Sequence, residues 1–230
     1  MKEPLYDNVI EFKVYGESAL FTNPITMVSE EHTSYQVPTY SALQGIMESC
    51  YWKPTLYWQP LEVRVMNRIY LEPRGKLLPK YASSERDLAY HTYLKNVCYQ
   101  VRVAMQWSNN EAYAKDRLPK KHMESARRWL ERGGKKNIFL GKSECVGFIE
   151  PCVFGEGEGY YDNTNMSFGL MLHGQTYPNM AKTSEDKNKL ISRLFLCEME
   201  NGIIKFPAPE DCPVKRVIRK EAPVWNSPKY

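Results

Sequence analysis

Arg117-Leu-Pro-Lys-Lys-His122 puts two ammonium groups and an imidazole on successive residues, directly after a proline suited to the first position of a helix. Free backbone N–H groups and the helix dipole favour an anion there, so one phosphate could meet amides, Lys120, Lys121 and His122 together. Metal-free cleavage of RNA needs that set of groups. A base takes the 2′-hydroxyl proton, an acid protonates the leaving 5′-oxygen, and fixed cations stabilise the crowded phosphorane. Histidine can serve as acid or base near neutrality, tyrosine can donate, accept or orient, and lysine supplies charge.

The surroundings favour an anionic partner. Between Lys115 and Lys142 stand ten Lys or Arg against three Asp or Glu, a local net of +7 in a chain of net +4. The rest therefore carries −3, and the positive charge is gathered on one helix and one turn. Lys120, Arg127, Arg128, Lys135, Lys136 and Lys142 are the candidate RNA contacts. The plainer alternative, a solvated helix face, is weakened because Glu is too scarce to lace the face with i,i+4 pairs.

His122 has its own plain alternative. Met123, Ala126, Trp129 and Leu130 make an apolar stripe with His122 at its edge, and spacing alone favours a packed, structural histidine. His32, His91 and His173 have no sequence neighbours suggesting a site. No carboxylate cluster or paired His/Cys spacing points to a metal, and no phosphate-binding G-x-x-x-x-G-K-[ST] loop is present. No cofactor and no metal site are expected.

The elements that must position these groups follow from periodicity. Asn8–Gly16 alternates as a strand. Thr39 is a plausible N-cap for a helix with Leu43, Ile46, Met47 and Cys50 on one face, stopped by Pro54. Leu61–Leu71 reads as a strand, residues 73–93 as an extended polar connection, and Asn96–Trp107 as the cleanest strand, with Gln100, Arg102 and Gln106 outward. A second helix runs from Pro119 to Gly133-Gly134, and Asn137–Glu150 is a strand interrupted by Gly141 and Gly147. Strand-helix-strand-strand-helix-strand over about residues 8–150 is the split-βαβ, ferredoxin-like order. Beyond Pro151 a glycine-rich loop (Gly155–Gly159) leads to strands at Met166–His173 and Leu194–Phe206, the latter folded at Asn201-Gly202. A basic, proline-punctuated tail spans Pro213–Tyr230.

With 230 residues, 43% hydrophobic and 25% charged, the chain can bury a real core. No apolar run approaches the roughly 20 residues of a membrane span, and the N-terminus lacks a signal-peptide core. Six scattered cysteines without C-x-x-C suggest a reducing cytoplasm. Sixteen tyrosines decide nothing alone.

Several blocks in order carry a family likeness: Phe21-Thr-Asn-Pro, Ser34-Tyr-Gln-Val-Pro-Thr39, Tyr51-Trp-Lys-Pro54, Arg117-Leu-Pro-Lys-Lys-His122 and Gly133-Gly-Lys-Lys-Asn-Ile-Phe-Leu-Gly141. The chain resembles the CRISPR-associated RAMP endoribonucleases of subtype I-C (Dvulg) through residues 12 to about 152, and more loosely to the tail. The resemblance implies an α+β chain: a ferredoxin-like (RRM-like) βαββαβ N-terminal domain over 1–150, then a β-rich antiparallel C-terminal domain over 151–230. It implies metal-independent cleavage at the base of a repeat hairpin in precursor CRISPR RNA, with the product retained in a type I-C surveillance complex. Carried over by position, the catalytic residues are Tyr51, Lys121 and His122. The implied partners are the repeat RNA, the other complex subunits and, non-specifically, double-stranded DNA, in a prokaryotic cytoplasm and away from membranes. An arginine usual in the family is Ser143 here, with Lys142 beside it, and lysine lacks the bidentate fork of arginine. The alternative function is a non-catalytic RNA-binding subunit of the same kind of complex.

Overall fold

The computed structural model describes residues 8–26, 31–79, 86–108, 111–177, 186 and 189–219. The ends of the expected basic tail, residues 220–230, lie outside them. Among the described residues ten strands and two helices follow in the order β1 (Val9–Ala19), α1 (Tyr40–Cys50), β2 (Leu56–Val65), β3 (Leu71–Pro79), β4 (Arg86–Trp107), α2 (Pro119–Glu131), β5 (Ile138–Phe139), β6 (Val146–Pro151), β7 (Met166–Thr176), β8 (Leu190–Glu200), β9 (Ile203–Lys205) and β10 (Val214–Arg219). The strands form one antiparallel sheet in the order β10-β8-β9-β2-β4-β1-β6-β5, with β3 added to the far half of β4 and β7 to β8.

Local signals explain most elements. The Thr39 hydroxyl accepts from the Ala42 amide and caps α1, whose Leu43, Ile46, Met47 and Cys50 are buried. In β4, Val97, Tyr99, Val101, Val103 and Met105 face the core, opposite Phe12 and Val14 of β1 and Trp58 of β2. Helix α2 adds Met123, Ala126 and Leu130 to the same core. Each of the large apolar side chains buried there contributes roughly 1.5–3 kcal/mol. Asn201 and Gly202 both take positive φ, 49° and 76°, and turn β8 into β9 as the Asn-Gly pair predicts.

Three expectations need correction. The strand expected at Leu61–Leu71 starts earlier and ends at Val65, because Pro60 is accommodated at an irregularity in the β2–β4 ladder rather than blocking it. Residues 73–93, expected as a connection, are instead the two arms of the β3–β4 ribbon, paired from Leu71↔Leu94 to Pro79↔Arg86. Its faces are largely solvated, with Leu77, Leu88 and Tyr90 exposed, so apolar alternation did not mark it. Gln100, expected to point to solvent, is buried. The glycine-rich loop folds over that face, with Gly155 N–H donating to Gln100 Oε1 and the Gln100 amide donating to the Glu156 carbonyl. Arg64 holds the same loop through the Gly157 carbonyl and both Asp162 oxygens.

The strand expected over Asn137–Glu150 is the short hairpin β5–β6, broken around Gly141 as anticipated, whereas Gly147, expected as a second break, lies within β6 and pairs with Ile138. A Cβ at Gly141 would stand 2.0 Å from the Leu20 carbonyl oxygen at φ +96°, so only glycine fits the crossing. The last turn of α1 is held to the segment that leaves the end of α2, where the Lys135 and Lys136 N–H groups meet the Cys50 and Ser49 carbonyls.

Candidate active site

Tyr51 leaves α1 as its C-cap in extended conformation, with its N–H on the Met47 carbonyl at 2.9 Å and its own carbonyl accepting from Trp58 Nε1 at 2.7 Å. The side chain is 4% exposed. Its Oη lies 2.8 Å from His122 Nδ1, across 71 residues of sequence. His122 sits in the first turns of α2, is fully buried and meets the Trp107 ring edge-on at 5.8 Å. Its Nε2 is 2.7 Å from the Asp116 backbone carbonyl.

These two contacts assign the tautomer. A carbonyl oxygen only accepts, so Nε2 carries a hydrogen, and in the neutral form of the ring that leaves a lone pair at Nδ1. The phenol of Tyr51 therefore donates to His122. Burial raises the Tyr51 pKa, while Ser125, Lys121 and Arg128 oppose that rise. The phenol stays protonated at neutral pH.

Asp116, which sequence reasoning missed, ties Lys121 and Thr55 to His122. Its carboxylate pairs with the Lys121 ammonium at 2.5 Å and accepts from Thr55 Oγ1 at 3.0 Å. Lys121 and then Thr55 hold the Asp116 carboxyl below its usual range, and Asp116 in turn raises Lys121. A short 3-10 helix, Glu111–Asp116, delivers this residue just ahead of Pro119. The only sequence sign was an acidic residue six positions before the histidine.

Tyr51 and His122 thus touch, and Lys121 joins them through Asp116. The joint cradle expected at the helix start does not form. Lys120 turns outward to Glu124, 3.9 Å away, and His122 turns into the core. Arg128 shares the α2 ridge of Lys121 and Ser125, spaced i, i+4, i+7, and is felt by Tyr51. Arg127 faces another way and lines a shallow cavity with Glu11, Arg102 and Cys152. Lys135 and Lys136 donate their backbone N–H groups to the Cys50 and Ser49 carbonyls, both at 3.1 Å. Both residues are exposed, and their backbone meets the last turn of α1, whose C-cap is Tyr51. Lys142 is held elsewhere, 2.9 Å from His32 Nδ1. His32 stacks on His91 at 4.8 Å, so two histidines without suggestive sequence neighbours are neighbours in space. His173 is buried against Tyr40, 3.9 Å between ring centroids. Among the described residues no group of three His, Cys, Asp or Glu converges as metal ligands.

A family model described as "CRISPR-associated protein (Cas_Cas5)", Cas_Cas5d, matches residues 9–207. The chain belongs to the Cas5d family. Among Cas5d relatives, the CRISPR pre-crRNA endoribonuclease Cas5d of Thermus thermophilus is 30% identical over 172 residues, covering 71% of each protein. The enzyme of the same name from Mannheimia succiniciproducens is 25% identical over 226 residues, covering 87% of this chain and 95% of that one. Two solved structures share the fold: a CRISPR-associated protein with TM-score 0.73 and 29% identity, and a Streptococcus mutans protein with TM-score 0.72 and 33% identity. Each match covers 93% of this chain and all of the other.

Proposed function

We propose that this chain is a precursor-crRNA endoribonuclease that cuts at the base of a repeat hairpin without a metal ion. It keeps the product and serves as a subunit of a type I-C surveillance complex. The observation that carries the chemistry is the Tyr51 Oη–His122 Nδ1 hydrogen bond at 2.8 Å. In this reading the 2′-hydroxyl gives its proton to Tyr51 Oη as the phenol proton passes to His122 Nδ1. The 2′-oxygen bonds to phosphorus, the bond to the 5′-oxygen breaks, and that oxygen takes a proton from water as it leaves as a hydroxyl; His122 then returns its extra proton through Tyr51 to solvent. Lys121, half-exposed at the entrance, balances charge on the phosphorane once phosphate competes with Asp116. Arg128, Lys135 and Lys136 flank the same mouth and hold the RNA backbone; Lys120, Arg127 and Lys142 extend the footprint outward. Non-specific contact with duplex DNA would use the same lysines.

The order β2-β4-β1-β6 with two crossing helices supports a ferredoxin-like, RRM-like unit over 1–150. The strands after Pro151 support a second, antiparallel unit over 151–230, hydrogen-bonded to the first through β2 and β9. No described helix is long and apolar enough to cross a membrane.

The test is incubation of repeat RNA with the protein in EDTA, followed by analysis of the ends. A 2′,3′-cyclic phosphate or 3′-phosphate upstream and a 5′-hydroxyl downstream are expected, and a 2′-deoxy nucleotide at the cut site should abolish cleavage while sparing binding. Efficient cutting of the deoxy substrate would sink the mechanism. The complete burial of His122 favours one second reading, a non-catalytic RNA-binding subunit in which the Tyr51–His122 bond only ties α1 to α2. Intact repeat RNA after incubation would support it.

A further inference from the structure

A second group of ionisable side chains lies where the 31–34 segment crosses β4 and the β5–β6 turn. Backbone bonds fix the crossing: Ser34 N–H donates to the Thr92 carbonyl and Thr92 N–H to the His32 carbonyl. This brings the half-buried His32 ring flat onto buried His91, with centroids 4.8 Å apart and planes 16° apart. From the turn, the Lys142 ammonium donates to His32 Nδ1 at 2.9 Å. Among the described residues Lys142 has no carboxylate ion-pair partner, whereas Lys76 is bridged to Glu144. Arg74 of β3 stands opposite His91 in the ladder and lies over the Tyr93 ring, and Tyr93 donates to Glu144 at 2.7 Å.

We infer that His32, His91 and Lys142 form a proton-linked phosphate subsite for single-stranded RNA, resting on the reading above that this chain holds RNA. The reason is an exchange of hydrogen bonds. Lys142 can donate to His32 Nδ1 only while that nitrogen bears a lone pair. Protonating the ring turns this contact into two cations side by side, and an anionic oxygen between them resolves the conflict by accepting from both. The proton comes from solvent, and the stacked His91 ring fixes the plane of His32. Every charged group facing His32 bears on the balance: Lys142 and Glu144 from the turn, His91 from β4 and Lys76 from β3. Burial, then Lys142, His91 and Lys76, depress the His32 pKa, with Glu144 opposing. The free protein therefore keeps this ring neutral at neutral pH, and an arriving phosphate reverses the sign of the local field.

Binding that raises an imidazole pKa must tighten as pH falls, by about tenfold for each unit gained. The experiment uses the full chain and a short oligouridylate. Its affinity is measured at about pH 6 and about pH 8, across the histidine range, while the imidazole nitrogens are followed by NMR. The wild type should bind more tightly at the lower pH, and oligouridylate should raise the titration midpoint of His32. His32→Gln should flatten the pH dependence, and Lys142→Gln should weaken binding at both pH values. The NMR titration needs no substitution, so an unstable variant does not spare the idea. Absence of oligouridylate binding, an unmoved His32 midpoint, or full pH dependence in a folded His32→Gln protein would each overturn it. Cleavage of repeat RNA is measured in parallel. Lost cleavage with a normal imidazole response removes only the nuclease reading, and normal cleavage without that response removes only this subsite.

Discussion

His122 and His32 both accept a hydrogen bond at Nδ1, and the difference between their donors separates the two regions chemically. At His122 the donor is a neutral phenol, the other ring nitrogen is spent on a backbone carbonyl, and water is excluded. At His32 the donor is an ammonium, the ring is half-buried, and further cations surround it. The first arrangement fixes a tautomer and lets a proton move along a defined line. The second sets charge against protonation until an anion arrives. His173 is a third case: its Nε2 is 3.0 Å from the Pro207 carbonyl, and burial, then Arg193, push its pKa down to about 4. What decides each role is the neighbour on the ring nitrogen, not the imidazole.

The sharpest way to break this comparison is to remove the relay. His122→Ala should lower the single-turnover cleavage rate by roughly 10²-fold or more, the range for losing a general acid or base. Tyr51→Phe should lose a similar factor, and the double variant little more, because the two act as one unit. RNA affinity should change little. If His122 only packs, the alanine variant will instead lose melting temperature and keep its rate per folded molecule, so both quantities are measured.

The next effect concerns stability and isolates the structural imidazole. With a folded pKa near 4, His173 binds its proton less readily in the native state than in the unfolded chain. Stability is therefore complete above the unfolded value and is lost as pH falls from about 6.5 toward 4, on the order of 2–3 kcal/mol. His173→Gln should flatten the melting temperature in that window, beneath the acid loss contributed by carboxylates. An equally steep fall in the variant would show that the ring carries none of it.

The smallest effect concerns the cationic mouth. Replacing Lys135 and Lys136 by Gln should weaken RNA binding and lower the log–log salt slope by about 0.7–0.9 per lost phosphate contact. The rate at saturating RNA should move far less. Both lysines also sit at the α1 C-terminus, where cations suit the helix dipole. If that is their whole role, affinity and salt slope will stay put and only the melting temperature will drop.

Most of the scaffold is legible from local patterns. The Thr39 cap, the apolar face of α1, the Pro119 start and Gly133-Gly134 end of α2, the inward face of β4 and the Asn201-Gly202 turn each depend on a few consecutive residues. The β3–β4 ribbon escapes because its side chains are solvated on much of both faces and Pro73, Gly75 and Pro79 read as breakers. The burial of Gln100 and Arg64 escapes because a loop more than fifty residues later covers them.

By itself the sequence determined which reactive groups exist, which helix carries the cations, and which family the ordered blocks resemble. Only the tertiary structure decided what those groups do. Residue 51 meets residue 122 because packing closes 71 residues of chain, and the same packing turns His122 inward while Lys120 turns out. Lys142 leaves the basic helix for His32, and Asp116 becomes the link between Lys121 and His122. Local propensity records the conformation of a few neighbours. Proton paths and charge balance depend on separations of about three ångströms between atoms distant in sequence, and those arise only when the core has formed.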